Sequence, residues 1–183
     1  FGMSVAKGFR QLKQEWNEIL KNGSSSIGQF LMECSMVIAE SCGGASGPIW
    51  GSAFRSAAIY AGEKTKLSLI EFAELMQAVV AGIQKTGARS FGRGAEVGDK
   101  TLIDALVPCV DSLTTDSAAG KAFSEALHNG AMAAVEGAEK TRDIVARMGR
   151  AGVVGMRSLG HPDAGAYALG VIFTEIAETM RYI

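Results

Sequence analysis

Residues 92–108 read GRGAEVGDKTLIDALVP, a glycine-rich polar loop that runs straight into an amphipathic segment at Thr101. Gly92, Gly94 and Gly98 open backbone conformations closed to other residues and allow close approach of a ligand. The first-turn amides of a helix have no intrahelical partner and lie at the positive end of its dipole. A loop feeding such a helix favours anions, phosphates above all, and Lys100 adds a positive charge beside it. Pro108 lies inside the helical pattern that begins here and predicts a kink or local break near Asp104.

Outward from this stretch the dominant period is helical. Leu69, Phe72, Met76, Val79 and Ile83 recur every three or four positions. Ser68 precedes that run with Glu71 three residues on, which predicts a capping box. Ile27, Phe30, Leu31, Cys34, Val37 and Ile38 repeat the pattern over 26–41. Pro48 suits the first turn of the next helix, where its missing amide proton costs nothing. Asp116 is expected to cap a long Ala-rich helix over about 117–148, and Asp163 the last helix, which runs toward Tyr182. No stretch shows sustained strand alternation between hairpin turns. About seven helices are expected, with links mostly short enough to make neighbours antiparallel. Alanine pairs such as Ala57-Ala58 and Ala118-Ala119 let helix axes approach closely.

The bulk composition bounds the function. At 183 residues, one domain over 1–183 is expected, large enough to bury roughly 70% of its unfolded surface. Apolar residues make up 48% and the net charge is −1. That composition excludes disorder and gives no electrostatic case for nucleic acid or an anionic membrane. No apolar run approaches the roughly 20 residues that span a bilayer. Cys34, Cys42 and Cys109 form no CxxC pair and are read as buried free thiols in a reducing compartment, so the cytoplasm is the expected location. With two histidines and no ligand spacing to a cysteine, zinc is excluded.

Three segments together resemble one family. The 92–108 stretch is similar to the GxAxxGDKTLxDALxP loop of the nucleotide-binding DhaL subunit or domain of dihydroxyacetone kinases, with Arg93 where that pattern has glycine. Gly43 to Pro48 resembles its GG(A/T)SGP loop. Gly149-Arg150-Ala151 and then Arg157 to Ala166 resemble its GRA…RSxGHxDPGA segment, with Ala164 in place of proline. The matches keep the family's order and cover essentially the whole chain. The resemblance implies an all-α antiparallel barrel of eight amphipathic helices with a nucleotide at one end. It also implies magnesium, held by the aspartates of a Gly-Asp-x-Asp-His-Gly motif. The chain's opening matches the end of that motif, with Phe1 in the histidine's place. The first helix and the metal-binding loop are therefore expected upstream of Phe1, and no metal ligand is assigned to a residue here.

The resemblance carries over residue by residue to a nucleotide site. Gly2, Met3 and Ser4 match positions beside the phosphates. Ala45 and Ser46 match the loop whose amides and hydroxyl meet the phosphates. Gly94 lies beside the nucleotide and Leu102 against the adenine. Arg150 matches an arginine that contacts the nucleotide, and Asp163, Ala164 and Gly165 match the turn that closes over it. Convergence of these turns at one mouth of the bundle is the central expectation. No residue is assigned as a catalyst. His161, between Gly160 and Pro162, reads as a loop histidine. Asp99 reads as a turn residue and Asp104 as a first-turn charge favoured by the helix dipole.

The implied activity is phosphoryl transfer to dihydroxyacetone from ADP- or ATP-bound phosphate, performed only with a DhaK-type substrate-binding partner. The source of phosphate is either ATP or a phosphocarrier protein of the sugar phosphotransferase system. A homo-oligomer is also expected. The alternatives are a kinase domain for a related small ketose or polyol such as erythrulose, and a non-catalytic helical interaction module of the same fold.

Overall fold

Three of the helices start from side-chain caps. In the computed structural model, which describes residues 2–23 and 25–180 and the backbone but not the side chain of Arg150, the Ser26 hydroxyl accepts from the Gln29 amide. Ser68 and Glu71 form the full capping box. Asp163 accepts from the amides of Gly165 and Ala166 at 2.8 and 2.9 Å. Each bond satisfies donors that the first turn of a helix leaves unpaired.

The described residues form helices and no strand. The α-helices are α1 (Gly2–Gln14), α2 (Trp16–Asn22), α3 (Ile27–Ser41), α4 (Ser46–Ala61), α5 (Leu69–Phe91), α6 (Ile103–Ala118), α7 (Phe123–Lys140), the single turn α8 (Gly149–Gly152) and α9 (Ala164–Met180). Short 3₁₀ turns at Thr141–Asp143 and Gly155–Ser158 flank α8. The fold is an all-α helical bundle, as the periodicity predicted. The expected run of the last helix toward Tyr182 lies outside the described residues beyond Met180.

α1 and α2 meet at a bend at Glu15. Three local expectations differ. Asp116 does not start a helix. It is buried in the last turn of α6, where it accepts from Asn129 Nδ2 at 2.7 Å and pairs with Lys121 at 3.2 Å. The chain breaks instead at Gly120, whose φ of +68° is closed to most residues, and α7 begins from Ala122 without a side-chain cap. The Ala-rich helix ends at Lys140 rather than near Met148. Finally, α6 runs through Pro108 unbroken. Proline leaves the Asp104 carbonyl without its helical donor. α7 meets that carbonyl at Gly137, where any Cβ would collide with it.

The chain divides into two compact units, Phe1–Gly94 and Ala95–Ile183. In the first, α3 pairs with α4, α4 with α5, and α1 lies on α3. Leu12, Ile19, Cys34, Ile38 and Cys42 form a core flanked by Phe9, Phe30, Val37, Trp50 and Phe54. The Ser35 hydroxyl donates to the Gly51 carbonyl at 2.8 Å, tying α3 to α4. In the second unit α7 packs between α6 and α9. Ile103, Leu106, Cys109, Val110 and Leu113 of α6 face the alanines 126, 131, 134 and 138 of α7, all buried. Burial of each large aliphatic side chain is worth about 1.5–3 kcal/mol.

Candidate functional site

In the first unit, two of the sequence-matched segments meet. The Ser4 hydroxyl, in the first turn of α1, donates to the Gly43 carbonyl at 2.7 Å. This bond fixes Gly2 to Ser4 beside the loop that leads into α4. Met3 is 90% exposed, and its side chain packs against nothing in this unit. α4 starts from Ala45, which is itself in a helical conformation and provides no side-chain cap. Ala45 is exposed and Ser46 half-buried. Because residue 48 is proline, the first-turn donors of α4 reduce to the amides of Ser46 and Gly47, with the Ser46 hydroxyl beside them. A helix start of this kind is chemically suited to an anionic oxygen. Gly94 lies beyond the left-handed cap of α5 at Gly92 and approaches Gln84, with Arg93 Nη1 donating to its carbonyl at 3.0 Å.

In the second unit, Leu102 and the turn matched at 163–165 also meet. Leu102, buried, precedes α6. A Cβ at Gly165 would stand 3.1 Å from Leu102 Cβ, tighter than ordinary contact, so glycine there lets the first turn of α9 lie closely on Leu102. Asp163, which caps α9, has its carboxyl pushed above the ordinary aspartate range by burial, a shift opposed by the two amides it accepts from. Ala164 is exposed at the start of α9. Arg150 falls in α8, but its side chain lies outside what is described.

The loop before Thr101 behaves differently from the expectation for it. Its amides are occupied by its own chain. Asp104 accepts from Gly98 N at 2.6 Å and from Thr101 N at 2.7 Å, and Asp99 accepts from Glu96 N at 2.9 Å. Thr101 Oγ1 accepts from Ile103 N at 3.2 Å. A carboxylate already fills the position that an anion would take, so this junction is not open to phosphate. Lys100 is not directed to a ligand either. It is buried and donates to the carbonyls of Ile144, at 3.1 Å, and Ser158. Sequence reasoning missed this role, since the acceptors are main-chain groups far along the chain.

Other candidates carry less chemistry. His161 is exposed in the turn before α9. The three cysteines are free and buried, and burial raises the thiols of Cys34 and Cys109 to about 11 and about 12, which leaves them inert as nucleophiles. A surface cavity of about 280 Å³ lies between α7 and α9, lined by Val135, Glu139, Tyr167 and Val171 among others, and none of the sequence-matched residues lines it. Among the described residues no group of three or more His, Cys, Asp or Glu is placed to hold a metal ion. No helix among the described residues is long and apolar enough to cross a membrane.

The same residues align with known proteins. A match to the DAK2 domain runs over residues 1–178, through both units. The chain belongs to the DAK2 domain family. This DAK2 domain is 31% identical over 186 residues to the ADP-binding subunit DhaL of PEP-dependent dihydroxyacetone kinase 2 from Listeria innocua, covering 98% of this chain and 80% of that one. It is 33% identical over 165 residues to the corresponding DhaL subunit of Escherichia coli, covering 90% of this chain and 74% of that one. An L-erythrulose 1-kinase of Mycolicibacterium smegmatis is 39% identical over 142 residues, 76% of this chain but only 23% of that much longer protein.

Proposed function

We propose that this DAK2 domain is the nucleotide-binding, phosphoryl-donor subunit or domain of a dihydroxyacetone (glycerone) kinase, holding ADP or ATP for a DhaK-type substrate-binding partner. The observation that carries the proposal is the uncapped start of α4, with Ser4 bonded to the loop before it. Relatives named as ADP-binding DhaL subunits support the same reading. The nucleotide contacts proposed are Gly2, Met3, Ser4, Ala45, Ser46 and Gly94 in the first unit. In the second they are Leu102, Arg150, Asp163, Ala164 and Gly165. Residues 1–183 are taken as one domain, supported by a single family match across both units.

The chemistry asked of such a protein is positional. In phosphoryl transfer the charge spreads over the transferred oxygens, so fixed donors and orientation do most of the work. The Ser46 and Gly47 amides and the Ser46 hydroxyl would hold phosphate oxygens at the α4 start. The apolar surface of Leu102 would take the purine. Magnesium enters only as a companion of the nucleotide phosphates. The acceptor hydroxyl is that of the ketose held by the partner, so no residue of this chain is proposed as a catalytic base. A phosphocarrier protein as phosphate source, a homo-oligomeric state and a cytoplasmic location belong to the same proposal. Relatives named PEP- or PTS-dependent and three buried free cysteines support the first and last of these.

A second reading has its own support. Relatives named L-erythrulose 1-kinase and L-erythrulose kinase match the chain at 39% and 29% identity, which makes erythrulose a candidate acceptor. Titration calorimetry with ADP and magnesium chloride tests the nucleotide reading. Binding is expected, and Ser46→Ala should weaken it about tenfold, the size of one hydrogen bond to a charged group. No heat of binding to the unaltered chain would refute the reading.

A further inference from the structure

We propose that Lys100 is a positioning residue for the nucleotide: its buried ammonium, bonded to the carbonyls of Ile144 and Ser158, holds the segment bearing Arg150 and Asp163 in register with the helix start bearing Leu102. The inference rests on the nucleotide-binding reading above. All of these residues belong to the second unit.

Two unfavourable features coincide at Lys100. The residue is 3% exposed, and burial lowers the affinity of its amine for a proton. Its φ is +62°, making it the one non-glycine residue with positive φ among the described residues. L-residues other than asparagine and aspartate rarely adopt that conformation. An apolar side chain would fill the space without the charge, and glycine would relieve the backbone. Lysine at this position is accounted for by what its ammonium reaches.

The ammonium draws together two carbonyls far apart in sequence, closing the neck of the stretch 145–157. Further bonds tighten the same neck. Arg147 N donates to the Asp99 carbonyl at 3.1 Å, and Ala146 N to Ser158 Oγ at 2.9 Å. Ser158 Oγ in turn donates to the Gly155 carbonyl at 2.7 Å. On the far side, Gly160 N donates to the Arg142 carbonyl and Asp163 N to Thr141 Oγ1. The 95–102 loop and the 141–163 segment are thus joined through Lys100. Asp163 and Asp143 lie within electrostatic reach of the ammonium and favour its charged form. Buried charge and backbone strain of this kind concentrate where a binding surface must be preorganised.

The test uses the whole chain, ADP with magnesium chloride as the probe, and amide exchange of residues 144–160 as a second readout. Lys100→Met should keep the helical circular dichroism, lose about tenfold or more in ADP affinity, and exchange faster at Ala146, Arg147 and Gly160. Lys100→Ala should behave alike, and n-propylammonium should restore part of both affinity and protection where tetramethylammonium restores neither. That rescue separates positioning by a donating cation from general support of the fold. Unchanged affinity in Lys100→Met overturns the proposal, as does a loss that tracks thermal stability and shows no rescue. If both variants fail to fold, Ser158→Ala decides, because it loosens the same neck from the opposite side. A loss of affinity with faster exchange at Ala146 supports the proposal, and wild-type affinity overturns it. Failure of the unaltered chain to bind ADP refutes the nucleotide reading itself, a result distinct from any difference among the variants.

Discussion

The starts of α4 and α6 are both glycine-rich loops running into helices, yet they present opposite chemistry. At α4 the capping position is an alanine with no side-chain bond. At α6 the Asp104 carboxylate folds back to take the amides of Gly98 and Thr101. Similar motifs thus yield one start open to an anion and one already carrying its own. The difference comes from a single acidic side chain in the first turn, where the helix dipole favours negative charge from any source. It is the ground for proposing anion binding at 43–47 and a framing role for 95–102.

Removing the internal carboxylate is the strongest way to break this contrast. Asp104→Ala strands two inward-facing amides and should lower unfolding stability by about 3 kcal/mol, measured by urea denaturation. A loss under about 1 kcal/mol would mean the α6 start is as open as that of α4. The converse substitution, Ala45→Asp, gives the α4 start a carboxylate of its own. ADP affinity should fall at least about tenfold while stability moves by less than about 0.5 kcal/mol. Retained affinity would remove phosphate from that helix start.

The smallest effect concerns Asp163, whose folded pKa is raised above the ordinary aspartate value of 3.8. Between those two pKa values the folded chain holds the proton more tightly than the unfolded chain does. The stabilising contribution of Asp163 is therefore present at lower pH and lost as pH rises through the folded value. Asp163→Asn keeps an oxygen to cap α9 and should flatten the decline in melting temperature as pH rises above about 4. An unaltered pH profile would count against burial as the cause of the shift.

Much of the bundle could be read from local pattern. Ser68 and Asp163 each start a helix where their residue type implied, because capping is settled within three or four positions. The misplacement of Asp116 has a similar local cause, run the other way. Aspartate is a common cap, but Gly120 breaks the chain and leaves Asp116 to bind Lys121 and Asn129 from the end of α6. The bend at Glu15 had no glycine or proline to mark it. For the candidate site, residues that the resemblance singled out meet within each unit: Ser4 with the 43–45 loop, Leu102 with Gly165. Lys100 looked like a ligand charge because its acceptors, the carbonyls at 144 and 158, carry no side-chain signature. A main-chain partner forty or more positions away leaves no trace in composition or spacing.

Gly137 lies against the carbonyl that Pro108 leaves without a donor, so main chain meets main chain at that level. No side chain there can change rotamer to let α6 slide along α7. The pair should then behave as a single stiff hairpin, and slow opening of the second unit would be channelled into the connection between Lys140 and Ala164. Amides in mid-α7 would be among the last to take up deuterium.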